Sequence, residues 1–301
     1  MVQSSVAATS PTSAGESQFR VRTRRVLGRL GVHAALLAIC VVWLVPTIAL
    51  IVTSVRPAVL MLSSGWWHIF TSAGEFTTAN YRSVLHGGQL GTSFVNSLAI
   101  VVPVTIATVL LAAIAGYACA WMPFRGERAV LILMVAMLGL PVQVTLVPVL
   151  QLFSKLELAG RFPAAWIAYT GYMLPFGIYL MFGFYRRIPR EIIEAARVDG
   201  ASAVTTCLRI AMPIAAPALA SLATLVFVWT WNDLLVSLVY VGSSPDVAPL
   251  PVTIANLVGS QGHGQELLAA GAVISLALPV AIFFALQRFF VRGVVAGAVK
   301  G

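Results

Sequence analysis

Charged side chains are scarce in this sequence. Of its 301 residues only 10% are Asp, Glu, Lys or Arg, whereas 59% are hydrophobic, and the mean hydropathy is +0.92. A soluble domain carries about 25% charged residues, because its surface must face water. So few charges could not cover the core of a soluble protein of this length, and we expect a protein that uses lipid as its solvent.

Reactive and metal-binding side chains are also few. The three cysteines, Cys40, Cys119 and Cys207, and the four histidines show no metal-ligand spacing, so we expect neither a metal site nor a cofactor on this chain. No G-x-x-x-x-G-K-[ST] phosphate loop occurs, which excludes an ATP site of that type. Convergent Ser/His/Asp sets are missing too, which argues against a membrane-embedded enzyme.

Long uncharged runs are what the sequence has in abundance. Each is long enough, at about 1.5 Å per residue, to cross a hydrocarbon core of about 30 Å. We predict an all-α membrane protein with a disordered basic tail over residues 1–30 and a transmembrane domain over 31–301. Its six transmembrane helices are expected at 32–55, 93–119, 129–152, 163–185, 211–241 and 267–288.

Basic residues are unevenly distributed between these runs. With the N-terminus in the cytoplasm, fifteen of the 19 Lys and Arg residues fall in cytoplasmic segments and four fall outside. This skew predicts that both termini are cytoplasmic. The net charge of +9 does not indicate nucleic-acid binding, because the basic residues alternate with apolar runs and do not form one face.

The longest polar stretch, RRIPREIIEAARVDGASAVTTCLRIAMPIAAP (Arg186–Pro217), lies between the fourth and fifth runs. Pro189 suits the first position of a helix, and Gly200 can take the positive φ that ends one. Ser202 can cap a second helix. The pattern predicts a short rigid helix over 190–198 outside the membrane. The alternative is a structured loop without a further role.

This stretch resembles the EAA loop, here residues 189–213, of binding-protein-dependent ATP-binding cassette importers. The residues that match its pattern are Glu194-Ala195-Ala196, Gly200, Ile210 and Pro213. The segments NYRSVL, WNDLL and FVRGVVAGAVKG are similar to the carbohydrate-uptake branch, in particular the second permease of maltose-type systems. PREIIEAARVDGA together with FVWTWNDLLVSLVYVG is most similar to alpha-glucoside permeases.

The resemblance implies a non-enzymatic permease subunit in a bacterial cell membrane, forming half of a sugar pathway. Its helix 190–198 would be a coupling helix seated in a separate ATPase subunit, which hydrolyses the ATP. The implied partners are a different second permease, two copies of the ATPase, an extracytoplasmic solute-binding protein, the sugar and the lipid bilayer, without nucleic acid. The implied ATPase-coupling residues are Glu191, Glu194, Ala195, Ala196, Asp199, Gly200, Ala201, Ile210 and Pro213, with C-terminal ATPase contacts at Gly297, Lys300 and Gly301.

Asp233 is the single acid within a predicted span, beside Trp229, Trp231 and Asn232 in WTWNDLLV, a set of stacking and hydrogen-bonding groups suited to a sugar. An acid inside a span is unfavourable unless it has a partner or a function. Trp231, Asn232 and Asp233 are therefore candidates for the substrate pathway or a gate. We favour a structural or gating role, in which Asp233 bonds to Asn232 or to a neighbouring helix, or lies near the outer end of a broken span. One such acid gives little support to the alternative function, an ion-coupled secondary transporter of small solutes.

Overall fold

The computed structural model describes residues 13–70, 76–86, 89–257 and 264–298. All regular secondary structure in these ranges is helical. The α-helices are α1 (Ser13–Ser54), α2 (Ala58–Ser63), α3 (Ala79–His86), α4 (Gln89–Trp121), α5 (Glu127–Leu138), α6 (Val142–Lys155), α7 (Phe162–Tyr185), α8 (Arg190–Val198), α9 (Ala203–Thr206), α10 (Met212–Ile214), α11 (Ala216–Asn232), α12 (Leu235–Tyr240), α13 (Leu250–Ala255) and α14 (Gln265–Ala298). A 3₁₀ turn at Trp66–Phe70 and a π turn at Cys207–Ala211 complete the set.

Four stretches are long and apolar enough to cross a membrane as single helices. They are Gly31–Ser54 within α1, the whole of α4 and α7, and Gln265–Ala285 within α14. Two further pairs qualify only as bent spans, α5 with α6 at 102° and the segment Ala203–Ile214 with α11 at 79°. Counting each bent pair as one span gives six in the described part of the chain, which is the predicted number.

The third predicted span, 129–152, is not one straight helix. Gly139 follows the last residue of α5, and Pro141 precedes the first residue of α6. Proline has no N–H to donate and disfavours helical backbone in the residue before it, so a helix rarely continues through such a Gly-Leu-Pro sequence. Three of the long helices do continue through a proline: α4 through Pro103, α7 through Pro175 and α14 through Pro279.

Two predicted boundaries differ from the structure. Helix α1 begins at Ser13, so residues 13–30 of the tail predicted to be disordered are helical, and residues 1–12 lie outside the described part. Residues 16–27 contain no Gly or Pro and include Glu, Gln and four Arg, which are good helix formers. The helix of the fifth predicted span, 211–241, ends at Asn232, because Asp233 has extended backbone before α12.

Helices α4 and α7 share the most extensive helix–helix contact. A β-carbon added at Gly177 of α7 would lie 2.8 Å from Cβ of Ala112 in α4, and one added at Gly116 would lie 2.8 Å from Cβ of Met181. Ala112 and Met181 are fully buried, and Leu222 of α11 also packs near Gly177. Small residues therefore let the two backbones approach closely.

The segment after α12 is fastened to α4 by hydrogen bonds. The amide of Asn96 donates to the backbone oxygens of Asp246 and Ala248, at 3.1 and 3.2 Å. The hydroxyl oxygen of Ser97 accepts from the backbone N–H of Leu250 at 2.7 Å. These bonds hold the start of α13 against the first turns of α4.

The close approach at Gly177 can be tested by adding a side chain there. We expect Gly177→Val to destabilise the protein by about 1–3 kcal/mol, because Cβ of Ala112 is fixed by its backbone and cannot move aside. Gly171→Val in the same helix is the control, since no heavy atom lies within 4 Å of a β-carbon there. Thermal unfolding of the detergent-purified proteins measures the difference. Equal unfolding midpoints would contradict a dependence of the fold on this contact.

Candidate functional site

Helix α8 presents one buried face and one exposed face. Ile193 and Ala196 are 0% and 5% exposed and pack against the rest of the chain, whereas Val198 is 87% exposed. Of the nine implied ATPase-coupling residues, Glu191, Glu194, Ala195, Asp199, Gly200 and Pro213 are exposed, Ala201 and Ile210 are half-buried, and Ala196 is buried. The exposed part of the helix therefore combines small and apolar side chains with two acids and two arginines, Arg190 and Arg197, and Arg190 forms an ion pair with Glu194 at 3.7 Å.

Gly200 ends α8 as the sequence predicts. Its φ is +78°, its N–H donates to the oxygen of Arg197, and the N–H of Ala201 donates to the oxygen of Ala196, both at 3.0 Å. This pair of bonds is the Schellman motif, which occupies backbone oxygens left free at the helix end. At the other end Pro189 lies one position earlier than predicted, as the N-cap residue, because the helix begins at Arg190.

A second cap starts the next helix two residues after Gly200. The hydroxyl oxygen of Ser202 accepts from the backbone N–H of Thr205 at 3.2 Å. The N-cap predicted from the sequence is thus confirmed. Because the two caps are separated by a single residue, the angle between α8 and α9 depends on very few backbone torsions.

One hydrogen bond joins α8 to the end of α4, and a second joins the end of α4 to that of α7. The guanidinium of Arg197 donates to the backbone oxygen of Trp121, the last residue of α4, at 2.8 Å. The indole N–H of Trp121 donates in turn to the oxygen of Tyr185, the last residue of α7, at 3.1 Å. A cleft of about 580 Å³ lies beside this junction, and its charged lining consists of Glu127, Arg186, Arg190, Glu194 and Arg197.

The path from α8 to the fifth span contains a π turn and a bend. Cys207–Ala211 forms the π turn between α9 and α10, and the 79° bend follows at Ala215. Pro213 and Pro217 flank the bend and cannot donate backbone hydrogen bonds. Single π turns inside helices occur frequently at functional sites.

Asp233 lies at the break between α11 and α12. Its Oδ2 accepts from the hydroxyl of Tyr169 in α7 and from the backbone N–H of Val236, both at 2.8 Å. The Tyr169 oxygen also lies 2.7 Å from Oγ of Ser237. The carboxyl group therefore binds the first turn of α12 and attaches that turn to α7, which agrees with the structural role favoured from the sequence.

The other two candidate pathway residues point in different directions. Trp231 is 1% exposed, donates from its indole to the backbone oxygen of Ser275 at 3.1 Å and stacks on Phe227, so it belongs to the core. Asn232 is exposed and donates from Nδ2 to the oxygen of Val228 at 2.7 Å. Only Asn232 and Asp233 of the three therefore reach the surface of this chain.

Two more aromatic residues lie beside Asp233. Trp229 is 37% exposed, and its ring meets that of Tyr169 edge-on at 5.9 Å between centroids. Trp229 belongs to the set singled out in the sequence, and it shares a helix face with Asn232 and Asp233, three and four residues later. Nothing in the sequence indicates Tyr169, because it is 64 residues from its carboxylate partner.

Two further predictions concern the C-terminus and metals. Gly297 belongs to α14, whereas Lys300 and Gly301 lie outside the described residues. Within the ranges that the structure describes, no three His, Cys, Asp or Glu side chains are grouped so that they could hold a metal ion.

The sequence was compared with known protein families. Residues 108–296 match the family described as the binding-protein-dependent transport system inner membrane component. The chain belongs to this family. It is a multi-pass permease of the bacterial cell membrane.

Two relatives and one solved structure illustrate the match. An osmoprotective compounds uptake permease of Synechocystis sp. is 46% identical over 275 residues, which are 90% of this chain and 92% of the relative. An alpha-glucoside transport system permease of Rhizobium meliloti is 45% identical over 236 residues, 77% of this chain and 62% of the relative. A chain of a bacterial ABC transporter involved in alginate import has a TM-score of 0.69 at 22% identity, covering 94% of this permease and 100% of that chain, so the two share their fold.

The structural role of Asp233 can be tested by two substitutions at the same position. Asp233→Leu leaves the Tyr169 hydroxyl and the Val236 N–H without this acceptor, and we expect a loss of about 1–3 kcal/mol of stability. Asp233→Asn keeps an acceptor oxygen of the same reach and should lose less than half as much. The measurement is thermal unfolding of the purified permease in detergent. Equal midpoints for the two variants would rule out hydrogen bonding as the reason for the acid.

Proposed function

We propose that this permease forms half of the translocation pathway of an ATP-driven sugar importer and that α8 is its coupling helix. The observation that carries the proposal is the setting of the Glu194-Ala195-Ala196 sequence, on a capped helix that lies outside the spans and is hydrogen-bonded to α4 through Arg197. A rigid helix on such an attachment can transmit the movement of a partner to the spans, as alternating access requires.

The partner at α8 is an ATPase subunit in this proposal. The exposed surface combines Val198 and Ile192, 87% and 39% exposed, with Glu191 and Glu194 and the low-profile Ala195. Arg190 and Arg197 share this surface, and a low-profile surface of mixed charge suits a cleft of a second protein. Two copies of the ATPase carry out the nucleotide chemistry, since this chain has no phosphate-binding loop. Gly297, Lys300 and Gly301 are the proposed further contacts with these copies.

The substrate is proposed to be a sugar of the alpha-glucoside class. The Rhizobium meliloti relative is named for alpha-glucoside transport, and a relative in Mycobacterium tuberculosis, 32% identical over 228 residues, is named for trehalose transport. In both names the solute carries an α-linked glucose. An extracytoplasmic solute-binding protein would deliver it.

A second, different permease completes the pathway in this proposal. Side chains on α1 and α6 support such a neighbour, because several large apolar ones have no cover within this chain, among them Val42, Trp43, Val144 and Val147, each more than 60% exposed. Lipid and the second permease together would cover these faces. An ion-coupled carrier usually relies on ionisable side chains within its spans, whereas Asp233 is engaged in two hydrogen bonds at a helix break.

The proposed orientation, with both termini in the cytoplasm, predicts a labelling pattern. In a variant without the three native cysteines, Ser244→Cys should react with a membrane-impermeant maleimide in intact cells. Val204→Cys, at a position that is 66% exposed, should react only after the membrane is opened. The physical reason is the preference of basic segments for the cytoplasmic side. The reverse pattern would place α8 outside and exclude its contact with an ATPase.

Gly200→Val tests the coupling role of α8. A β-branched residue at φ +78° is strained by roughly 1–2 kcal/mol or more, although the space around Gly200 is open. We expect the helix end to shift and the permease to lose its co-purifying ATPase, or to hydrolyse ATP without sugar uptake, at unchanged abundance in the membrane. Glu194→Lys, which reverses a charge on the same surface, should act in the same direction.

The matched control is Gly160→Val. Gly160 has φ +79° and equally open surroundings, but it lies between α6 and α7, on the other side of the membrane from α8 in the proposed topology. The ATPase should therefore co-purify with the Gly160→Val permease as it does with the wild type. Normal ATPase binding and normal uptake by both Gly200→Val and Glu194→Lys would refute the coupling role. Uptake driven by a proton gradient in the absence of ATP would refute the importer itself.

A further inference from the structure

The end of α11 carries an exposed group of polar and aromatic side chains in an otherwise apolar span. Trp229 is 37% exposed, Asn232 is exposed and Asp233 is half-buried. Asn232 lies about 24 Å along the helix from Ala216, at a rise of about 1.5 Å per residue. This depth falls within the thickness of a bilayer.

The chemistry of this group determines what it can face. A carboxylate and an amide are unfavourable against hydrocarbon, and such groups within spans face the protein interior or a water-filled cavity. This chemistry therefore favours an aqueous or protein neighbour over lipid for the face that carries Trp229, Asn232 and Asp233.

The hydrogen bonds that exist leave defined atoms available to a ligand. Both bonds of Asp233 fall on Oδ2, and the bond of Asn232 uses Nδ2, so in the described part of the chain each residue keeps Oδ1 as a hydrogen-bond acceptor. Two acceptors, one of them charged, select for a ligand with hydroxyl donors and disfavour an anionic ligand.

The indole of Trp229 supplies a flat apolar surface beside these acceptors. Its orientation is supported by the edge-on contact with Tyr169, which is 0% exposed and is held by Asp233 and Ser237. An aromatic ring that is fixed before binding loses little freedom when a ligand stacks on it. The C–H face of a pyranose is apolar while its rim carries hydroxyl groups, which matches a ring flanked by acceptors.

We propose that Trp229, Asn232 and Asp233 form a pyranose-binding subsite for a neutral glycoside, with Trp229 as the stacking platform. The inference rests on the proposed function, since it assigns the substrate contact within that pathway. Trp229 stacks on the sugar ring, whereas Trp231 belongs to the core. The subsite accepts hydroxyl groups and excludes sugar acids through the charge of Asp233.

The test uses the complete importer in proteoliposomes, with ATP inside and the solute-binding protein outside. The probes are radiolabelled maltose, sucrose and trehalose, which are neutral, and galacturonate, which is anionic. For Trp229→Leu we expect uptake per ATP hydrolysed to fall roughly tenfold, the effect of losing one aromatic contact. Stimulation of the ATPase by the binding protein should persist, and Trp229→Phe should restore most of the uptake.

Trp67→Leu is the control, because it makes the same change at a tryptophan that is 58% exposed in the 3₁₀ turn Trp66–Phe70. Uptake equal in Trp229→Leu and Trp67→Leu would overturn the subsite and leave the importer role intact. Loss of the second permease on purification of Trp229→Leu would overturn it as well, since the face would then be a subunit contact. A wild-type complex whose ATPase responds to the binding protein but which carries galacturonate and none of the neutral sugars would overturn the assignment to neutral glycosides alone.

Discussion

The close contact between α4 and α7 is the constraint on which the other features depend. Ala112 opposite Gly177, and Gly116 opposite Met181, allow the two backbones to lie at a distance that larger side chains would forbid. One end of this pair carries Trp121 and Tyr185, to which α8 is joined through Arg197. Farther along α7, Tyr169 holds Asp233. A change in the spacing of α4 and α7 would therefore reach both the proposed coupling surface and the break in the fifth span.

The route between these two places consists of rigid helices separated by a few deformable points. Gly200 separates α8 from α9, and the π turn and the bend at Ala215 separate α9 from α11. Asp233 then separates α11 from α12. Packed helices transmit displacement as rigid bodies and hinge residues take up the change in backbone angle. In the proposed function a movement of α8 would pass along α11 to Asp233, whose hydrogen bonds attach the first turn of α12 to α7.

Several polar side chains inside the spans are paired with one another across helices. Tyr172 bonds to both Thr145 and Tyr240 and so links α7 to α6 and α12. Such bonds are favoured in lipid, because no water is present there to form hydrogen bonds with an unpaired polar group. Asn232 differs from these groups because its amide is exposed, and the proposed subsite places it beside Trp229 in contact with the solute. The proposed pyranose subsite and the structural bond of Asp233 can coexist, because they use different oxygens of the same carboxyl group.

Local chemistry along the chain was enough to determine the apolar spans, the positive φ at Gly200, the cap at Ser202 and the match of Glu194-Ala195-Ala196 to a known pattern, since each depends on residues within one or two helical turns. It could not determine which side of a span faces inward, because a helix that is apolar all round has no amphipathic period to read. That is why Trp231 was expected on the pathway although the tertiary structure buries it and exposes Trp229. The helical start at Ser13 could not be predicted either, because a solvated helix and a disordered tail have similar composition. The same holds for the hydrogen bond from Tyr169 to Asp233, because only the packing of α7 against α12 brings these two residues together.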